Sequence, residues 1–229
     1  MNRIEFDDVV VRVTGPSGPV TILETEQLEL TEQRIAFIGA NGSGKSTLAR
    51  LVNALVSPAR GTVRVNGLDV ARDGAAVRRQ VGFVFTDPAA QLVMPTAGED
   101  VALSLRRTHP QKAARLAAAE QVLADYGLAG LADRSVHTLS GGQRQLLALA
   151  GVLATSPRIL VADEPTTLLD LRNSRMVGEL LLSLSQQLVL VTHDLDLAAR
   201  CDRALVLEHG RIVYDGAAPS AVEHYRSIA

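Results

Sequence analysis

Gly39-Ala40-Asn41-Gly42-Ser43-Gly44-Lys45-Ser46-Thr47 is the stretch on which the reading of this chain turns. A short apolar run, Arg34-Ile35-Ala36-Phe37-Ile38, leads into it, and apolar positions at helical spacing follow it: Leu48, Leu51, Val52 and Leu55, stopped by Ser57-Pro58. Strand, glycine-rich loop and helix in that order match the phosphate-loop pattern Gly-x-x-x-x-Gly-Lys-Ser/Thr. Glycines let the backbone wrap a phosphate, and successive N–H groups at a helix N-terminus form an anion nest. Lys45 is then placed to neutralise the β- and γ-phosphates, and the Ser46 hydroxyl to hold Mg²⁺. Lys45 and Lys112 are the only lysines among 23 basic residues, the rest being arginine, so a compact ammonium matters at this position. An ordinary Gly/Ser surface loop is the bland alternative, and the flanking strand and helix argue against it.

Composition narrows the setting. The 229 residues are 47% apolar and 21% charged, which excludes intrinsic disorder, collagen and a small disulfide scaffold. A chain of this length buries roughly 70% or more of its unfolded surface, enough for a core without staples. The net charge of −2 offers no electrostatic footprint for nucleic acid, and four Phe, three Tyr and no Trp give no base-stacking platform. The single cysteine, Cys201, cannot form an internal disulfide and fits a reducing compartment. The first residues, Met1-Asn2-Arg3-Ile4-Glu5-Phe6, hold no apolar signal segment. Leu146 to Ala154, the longest apolar run, is about half a membrane span. Any membrane-crossing part must come from other chains.

The rest of the chain alternates in texture. Residues 3–13 and 20–30 read as strands around the turn cluster Thr14-Gly15-Pro16-Ser17-Gly18-Pro19, hence a hairpin. Thr62 to Gly67 reads as an edge strand with a turn, and Val81 to Phe85 as a buried strand. From about 88 to 150 the sequence turns Ala- and Leu-rich and helical, with Pro110 in a first helical turn and Gly127 ending that stretch after Tyr126. Arg158 to Ala162 and Leu188 to Thr192 are apolar on both faces, as strands covered by helices must be. Arg203 to Leu207 and Arg211 to Tyr214 form a hairpin before a final helix. The expectation is an α/β core interrupted by a helical insertion.

Two further motifs carry chemistry. Ile159-Leu160-Val161-Ala162-Asp163-Glu164 is an apolar strand ending in two acids. Beside a phosphate loop, Asp163 can hold Mg²⁺ through water, which leaves Glu164 as general base for a water attacking the γ-phosphate. A solvated strand end is the alternative. Leu139-Ser140-Gly141-Gly142-Gln143-Arg144-Gln145 opens the apolar helix at 146–154, and serine and glycines at a helix N-terminus make a second anion site. One chain hardly needs two phosphate cradles for one nucleotide, so Ser140, Gly141, Gly142 and Gln143 are expected to meet the γ-phosphate of an ATP bound by a second subunit. Taken alone, Ser-Gly-Gly reads as a plain helix cap.

The order of phosphate loop, Leu-Ser-Gly-Gly-Gln, acidic strand end and later histidine resembles the ATP-binding-cassette family over nearly the whole chain. The resemblance implies an α/β fold: a phosphate-loop (RecA-like) core with an antiparallel β part, residues 1–87 and 157–229, and an inserted α-helical signature subdomain, 88–156. It implies that Asp170, in Thr166-Thr167-Leu168-Leu169-Asp170, belongs to a loop signalling between paired subunits, and that His193 contacts the γ-phosphate and helps hold the attacking water. His109, His209 and His224 read as surface residues and His137 as packing. Gly82-Phe83-Val84-Phe85-Thr86-Asp87-Pro88, Glu99-Asp100-Val101-Ala102 and Ala150-Gly151-Val152-Leu153-Ala154 are similar to the ATPases of energy-coupling-factor importers of vitamins or metal ions. Within those, Asp163 to Asn173 looks most like the ATPase of the biotin system. The partners implied are a second ATPase subunit (a homodimer favoured), a transmembrane coupling subunit gripped near residues 86–100, and a substrate-binding membrane subunit, all without nucleic acid. The implied place is the cytoplasmic face of the membrane, peripheral, with ATP and Mg²⁺ as the working pair.

Two positions depart from the family pattern. Thr86 stands where the family has a glutamine that senses Mg²⁺ and water, and its shorter hydroxyl reaches the metal only through a water; Gln91, five residues on, is no evident replacement. Val13 stands where an aromatic normally lies under the adenine, which forfeits roughly 1–3 kcal/mol of stacking. Rival readings are a soluble cassette switch acting on DNA or ribosomes, which usually carries coiled coils or two cassettes, and a phosphate-loop kinase, which has no use for Leu139 to Gln143. An energy-coupling ATPase for another vitamin or for cobalt or nickel is the nearer alternative to biotin.

Overall fold

The computed structural model describes residues 2–15 and 18–229, so Pro16 and Ser17 of the expected turn lie outside the described residues. Two sheets carry the fold. One is five-stranded and antiparallel: β1 (Ile4–Gly15) lies between β2 (Gly18–Thr25) and β5 (Arg60–Val65), β6 (Leu68–Asp69) closes the edge beside β5, and β3 (Leu28–Leu30) also pairs with β1. The expected hairpin is present, with Val9 opposite Thr25 and Val13 opposite Val20. The second expected strand, 20–30, is instead two strands on one neighbour: β3 takes Ile4 to Phe6, and β2 begins pairing only at Val9. Between those registers β1 passes through Asp8, whose φ of 47° breaks the extended run. β5 is not an edge strand, because β1 and β6 bond its two sides.

The second sheet is six-stranded, in the order β11-β10-β4-β9-β8-β7, made of β4 (Arg34–Ile38), β7 (Val81–Val84), β8 (Ile159–Asp163), β9 (Gln187–Val191), β10 (Arg203–Glu208) and β11 (Arg211–Ala217). β10, β4, β9 and β8 are mutually parallel, and β11 turns back antiparallel on β10. Every residue of β8 and β9 is buried. That is the signature of strands covered on both faces, and it explains why their sequences are continuous apolar runs rather than alternating ones. Arg203 locks the outer hairpin: its guanidinium bonds Asp215 through two nitrogens at 2.6 Å each and also reaches Glu32. Such fork geometry is the strongest form of ion pair.

The helices are α1 (Lys45–Val52), α2 (Gly74–Gln80), α3 (Ala97–Ser104), α4 (Lys112–Asp125), α5 (Gly141–Leu153), α6 (Leu171–Ser183), α7 (Leu195–Ala198) and α8 (Ala218–Ile228). Pro110 precedes α4 instead of sitting in its first turn, since Gln111 is the cap residue; Gly127 follows the C-cap Tyr126 as expected. The chain forms two compact units. One runs to Phe83 and resumes over Arg158–Glu164 and Leu181–Ala229; the other comprises Val84–Pro157 and Pro165–Leu180. The first holds both sheets. The second is built from α3, α4, α5 and the first part of α6, with buried Val101, Leu105, Ala119, Leu123, Leu147 and Leu149 as its core. No helix among the described residues is long and apolar enough to cross a membrane.

Candidate active site

The phosphate loop is short because β4 ends at Ile38 and α1 begins at Lys45. Gly39 has φ 142°, and a Cβ there would lie 2.2 Å from the Leu207 carbonyl oxygen of β10, so no other residue fits. The loop is braced from both sheets of its unit. The Ser43 carbonyl accepts the Gly210 N–H at 3.0 Å from the β10–β11 turn, and the Gly210 carbonyl accepts the Glu24 N–H of β2 at 2.7 Å. Lys45 is only 6% exposed, and its Nζ donates to the carbonyls of Gly39 at 2.8 Å and Ala40 at 2.9 Å. Burial lowers this ammonium below its ordinary value, while the charges of Glu164 and Asp163 oppose that shift. The first N–H groups of α1 have no acceptor within the helix, as at any helix start, and this is the arrangement by which a helix N-terminus binds an anion.

Two carboxylates from the end of β8 complete the core of the site. Asp163 is 1% exposed, and its Oδ1 accepts the Ser46 hydroxyl at 2.7 Å. Arg50, one helical turn beyond Ser46 on the same face, approaches Oδ2 at 3.5 Å. Burial raises the Asp163 carboxyl, against the Ser46 hydrogen bond and the Arg50 charge, which lower it. Glu164 comes next, with φ 53°, and its N–H donates to the Val191 carbonyl of β9 at 2.9 Å. Because β8 and β9 run parallel with Asp163 opposite Val191, the chain leaving β9 passes directly beside Glu164. His193 is thereby delivered to it: Nδ1 lies 2.7 Å from Glu164 Oε2. A non-glycine residue in the left-handed region costs of order 1–3 kcal/mol and persists only where its surroundings fix it, which is common at reactive sites.

Ser46 and Asp163 present a hydroxyl and a carboxylate, hard oxygen donors in direct contact. This set fits Mg²⁺, which takes one or two protein oxygens and fills its remaining positions with water and phosphate. Among the described residues, no three His, Cys, Asp or Glu come together as a metal-ligand group.

The signature residues lie in the second unit. Ser140 is the cap of α5, and a reciprocal capping box is closed: its hydroxyl accepts the Gln143 N–H at 3.2 Å while Gln143 Oε1 accepts the Ser140 N–H at 2.9 Å. The plain-cap reading of Ser140 therefore holds, and the hydroxyl keeps its own proton to donate. Gly142 is buried, whereas Ser140 is exposed and Gly141 and Gln143 are half-buried. Asp170 caps α6 through Oδ1, which accepts the Asn173 N–H at 2.8 Å. Thr86 is half-buried between β7 and the turn Pro88–Ala90. Gln91 is committed to backbone in this unit, accepting from Phe85 N–H at 3.3 Å and donating to the Ala148 carbonyl at 3.1 Å.

Val13 is 45% exposed opposite Val20 at 50%, an apolar pair on the surface of the antiparallel sheet. His209 is exposed, but His109 is half-buried and His224, also half-buried, stacks on Tyr214 at 4.8 Å between ring centres. His137 is exposed and does not pack as expected, because the buried residue of its short turn is Val136. Arg50 and Asn173 escaped the sequence reading. Each sits at helical spacing from a residue already singled out, four after Ser46 and three after Asp170, and that spacing was the available signal.

The profile of the ABC transporter family matches residues 27–167, more than half of the chain. The biotin transport ATP-binding protein BioM of Rhizobium etli is 45% identical over 212 residues, covering 93% of this chain and 94% of that protein. Among solved structures, the ATP-binding cassette MJ0796, in a dimeric post-hydrolysis state bound to ADP and Pi, superposes with a TM-score of 0.84 at 27% identity, covering 94% of this chain and 98% of that one. CbiO1 from Clostridium perfringens, part of the ABC transporter complex cbiONQ, superposes at 0.82 with 27% identity over 98% of this chain and 92% of its own. A braced phosphate loop beside an acidic strand end, on a chain so matched along its length, leaves one assignment: the chain belongs to the ABC transporter family, as one of its ATPases.

Proposed function

We propose that this chain is the ATPase subunit of an energy-coupling-factor importer for biotin. The observation that carries the hydrolytic part is the contact of Glu164 with His193 at the end of β8, beside the strand pair that also places Asp163 on Ser46. Residues 39–47 bind the triphosphate, with Lys45 on the β- and γ-phosphates. Ser46 and, through water, Asp163 would hold Mg²⁺, with Thr86 as a further water-mediated contact, and the ion would supply charge neutralisation on the phosphates. Glu164 takes a proton from a water whose oxygen bonds to the γ-phosphorus as the bond to the β–γ bridging oxygen breaks, releasing phosphate and ADP. His193 orients that water and the γ-phosphate. Ser140, Gly141, Gly142 and Gln143 meet the ATP of a second copy of the chain, and Asp170 signals between the two.

In this reading the helical subdomain engages a transmembrane coupling subunit near residues 86–100. A separate membrane subunit binds the cargo. The chain works as a homodimer on the cytoplasmic face of the membrane, since no catalytic element other than Thr86 departs from the pattern of a working site. Likeness to BioM supports biotin, and likeness to cbiO1 supports assembly into a transporter complex. The test is to tag the chain, solubilise membranes in mild detergent and identify what co-purifies. Two small integral-membrane proteins, one of which binds labelled biotin, are the expected result. A chain that stays in the soluble fraction without membrane partners overturns the transport reading, and a cargo protein indifferent to biotin overturns the substrate.

A further inference from the structure

In the second unit the Asn173 side chain lies between Asp170 and the start of α5. Its Nδ2 donates to Asp170 Oδ2 at 2.8 Å, while its backbone N–H takes the other carboxylate oxygen, Oδ1, at 2.8 Å. The same amide lies over the start of α5. A Cβ built on Gly142 would fall 2.6 Å from Asn173 Cγ, 2.7 Å from Oδ1 and 2.9 Å from Nδ2. Contacts under 3 Å oblige something to shift, and here the obstacle is a short side chain already tied down by Asp170. The neighbouring Gly141 has no such obstacle, its nearest atom being the Leu168 carbonyl at 3.9 Å. Gly142 is thus small because Asn173 occupies the space a side chain would need.

We propose that Asn173 is a positioning residue for ATP hydrolysis: it joins the Asp170 carboxylate to the start of the signature helix, so that both present themselves to the second subunit as one rigid piece. The inference rests on the proposed roles of Ser140 to Gln143 and Asp170. A helix cap alone needs only the Asn173 backbone N–H, which any residue supplies. The side-chain bond and the fit against Gly142 are additional, and they connect two segments about thirty residues apart in sequence. Misplacing a group that completes a reacting site costs up to roughly 10²-fold in rate without loss of substrate binding elsewhere.

The test uses the full chain and four variants, one of them Gly142→Ala alone. Asn173→Asp keeps the volume beside Gly142 but replaces the amide donor with a carboxylate facing Asp170. Asn173→Ala removes both the donor and the volume, and Asn173→Ala combined with Gly142→Ala refills the space from the other side. Phosphate release at saturating ATP should fall roughly 10- to 100-fold in Asn173→Asp and Asn173→Ala, with the KM for ATP within about twofold of the parent chain. Gly142→Ala should lose more activity alone than when combined with Asn173→Ala, a coupling expected only of groups in contact. Lower melting temperatures with an unchanged kcat in both single variants would reduce Asn173 to a structural cap and overturn the proposal, as would strictly additive effects at 142 and 173. A parent chain that neither hydrolyses ATP nor self-associates with it would remove the functional reading itself. A normal parent with normal Asn173 variants removes this inference alone.

Discussion

His193 Nδ1 lies 2.7 Å from Glu164 Oε2, a contact that ties together the segments leaving two adjacent parallel strands. Against an ionised carboxylate, which only accepts, this bond requires the hydrogen on Nδ1. Glu164→Gln should slow turnover by roughly 10²–10⁴, the usual worth of a general base, while nucleotide still binds. His193→Ala should slow it as well. Because the two act together, the double variant should be little worse than the slower single variant, whereas independent roles would multiply the losses. Single-turnover phosphate release on the three variants decides between these outcomes, and wild-type rates in Glu164→Gln would remove the base assignment.

Lys45 is nearly buried and presently spends two of its three donors on the carbonyls of Gly39 and Ala40. Turning them to phosphate exchanges neutral acceptors for charged ones, and each bond between charged partners is worth about 1.5–3 kcal/mol. Lys45→Ala should therefore weaken nucleotide binding by roughly 10- to 100-fold. Titration with a fluorescent ATP analogue measures this directly, and parental affinity in the variant would refute the role given to the lysine.

Much of this arrangement was legible in sequence because its determinants are local. Glycine positions, the lysine and the acids ending an apolar strand all lie within short segments whose order along the chain is the order of the fold. What escaped was register and lateral contact. Residues 20–30 read as one strand, but the chain breaks at Glu26-Gln27 between β2 and β3, and the partner strand has its own irregularity at Asp8. Thr62 to Gly67 looks like an edge strand because β6, which covers it, is two residues long. The Glu164–His193 contact depends on β8 and β9 being parallel neighbours, a fact with no local trace at a separation of 29 residues. Gly142 reads as a flexible anion-binding glycine until Asn173 is seen against it.

Asp163 is buried with its carboxyl raised chiefly by desolvation. A carboxyl raised on folding holds its proton to higher pH in the native chain than in the unfolded one. Between the ordinary carboxylate range and that raised value the native state binds more protons, so stability falls as pH rises through the window. Above it, the nucleotide-free protein carries the full cost of the buried charge. Asp163→Asn should abolish phosphate release yet melt at a higher temperature near neutral pH, by about 0.5–2 kcal/mol or a few degrees for a chain of this size. The advantage over the parent should shrink as pH is lowered through the same window. A variant less stable than its parent at neutral pH would mean that Ser46 and Arg50 more than offset the desolvation.

Val13 and Val20 face one another across the β1–β2 ladder and leave an exposed apolar pair beside the hairpin. The family resemblance puts the adenine against this face, where a ring is usual and valine offers no stacking surface. Aromatic residues suit exposed strand positions, so Val13→Tyr should be accommodated without loss of fold. A base stacked on the new ring gains about 1–3 kcal/mol, which tightens ATP binding by roughly 5- to 150-fold. Inorganic tripolyphosphate is the control, because it shares the phosphate contacts and has no base. Tighter ATP with unchanged tripolyphosphate would place the adenine on β1. Equal gains for both ligands would assign the effect to the loop, and no gain for either would place the base elsewhere, making Val13 a surface strand residue with no part in nucleotide recognition.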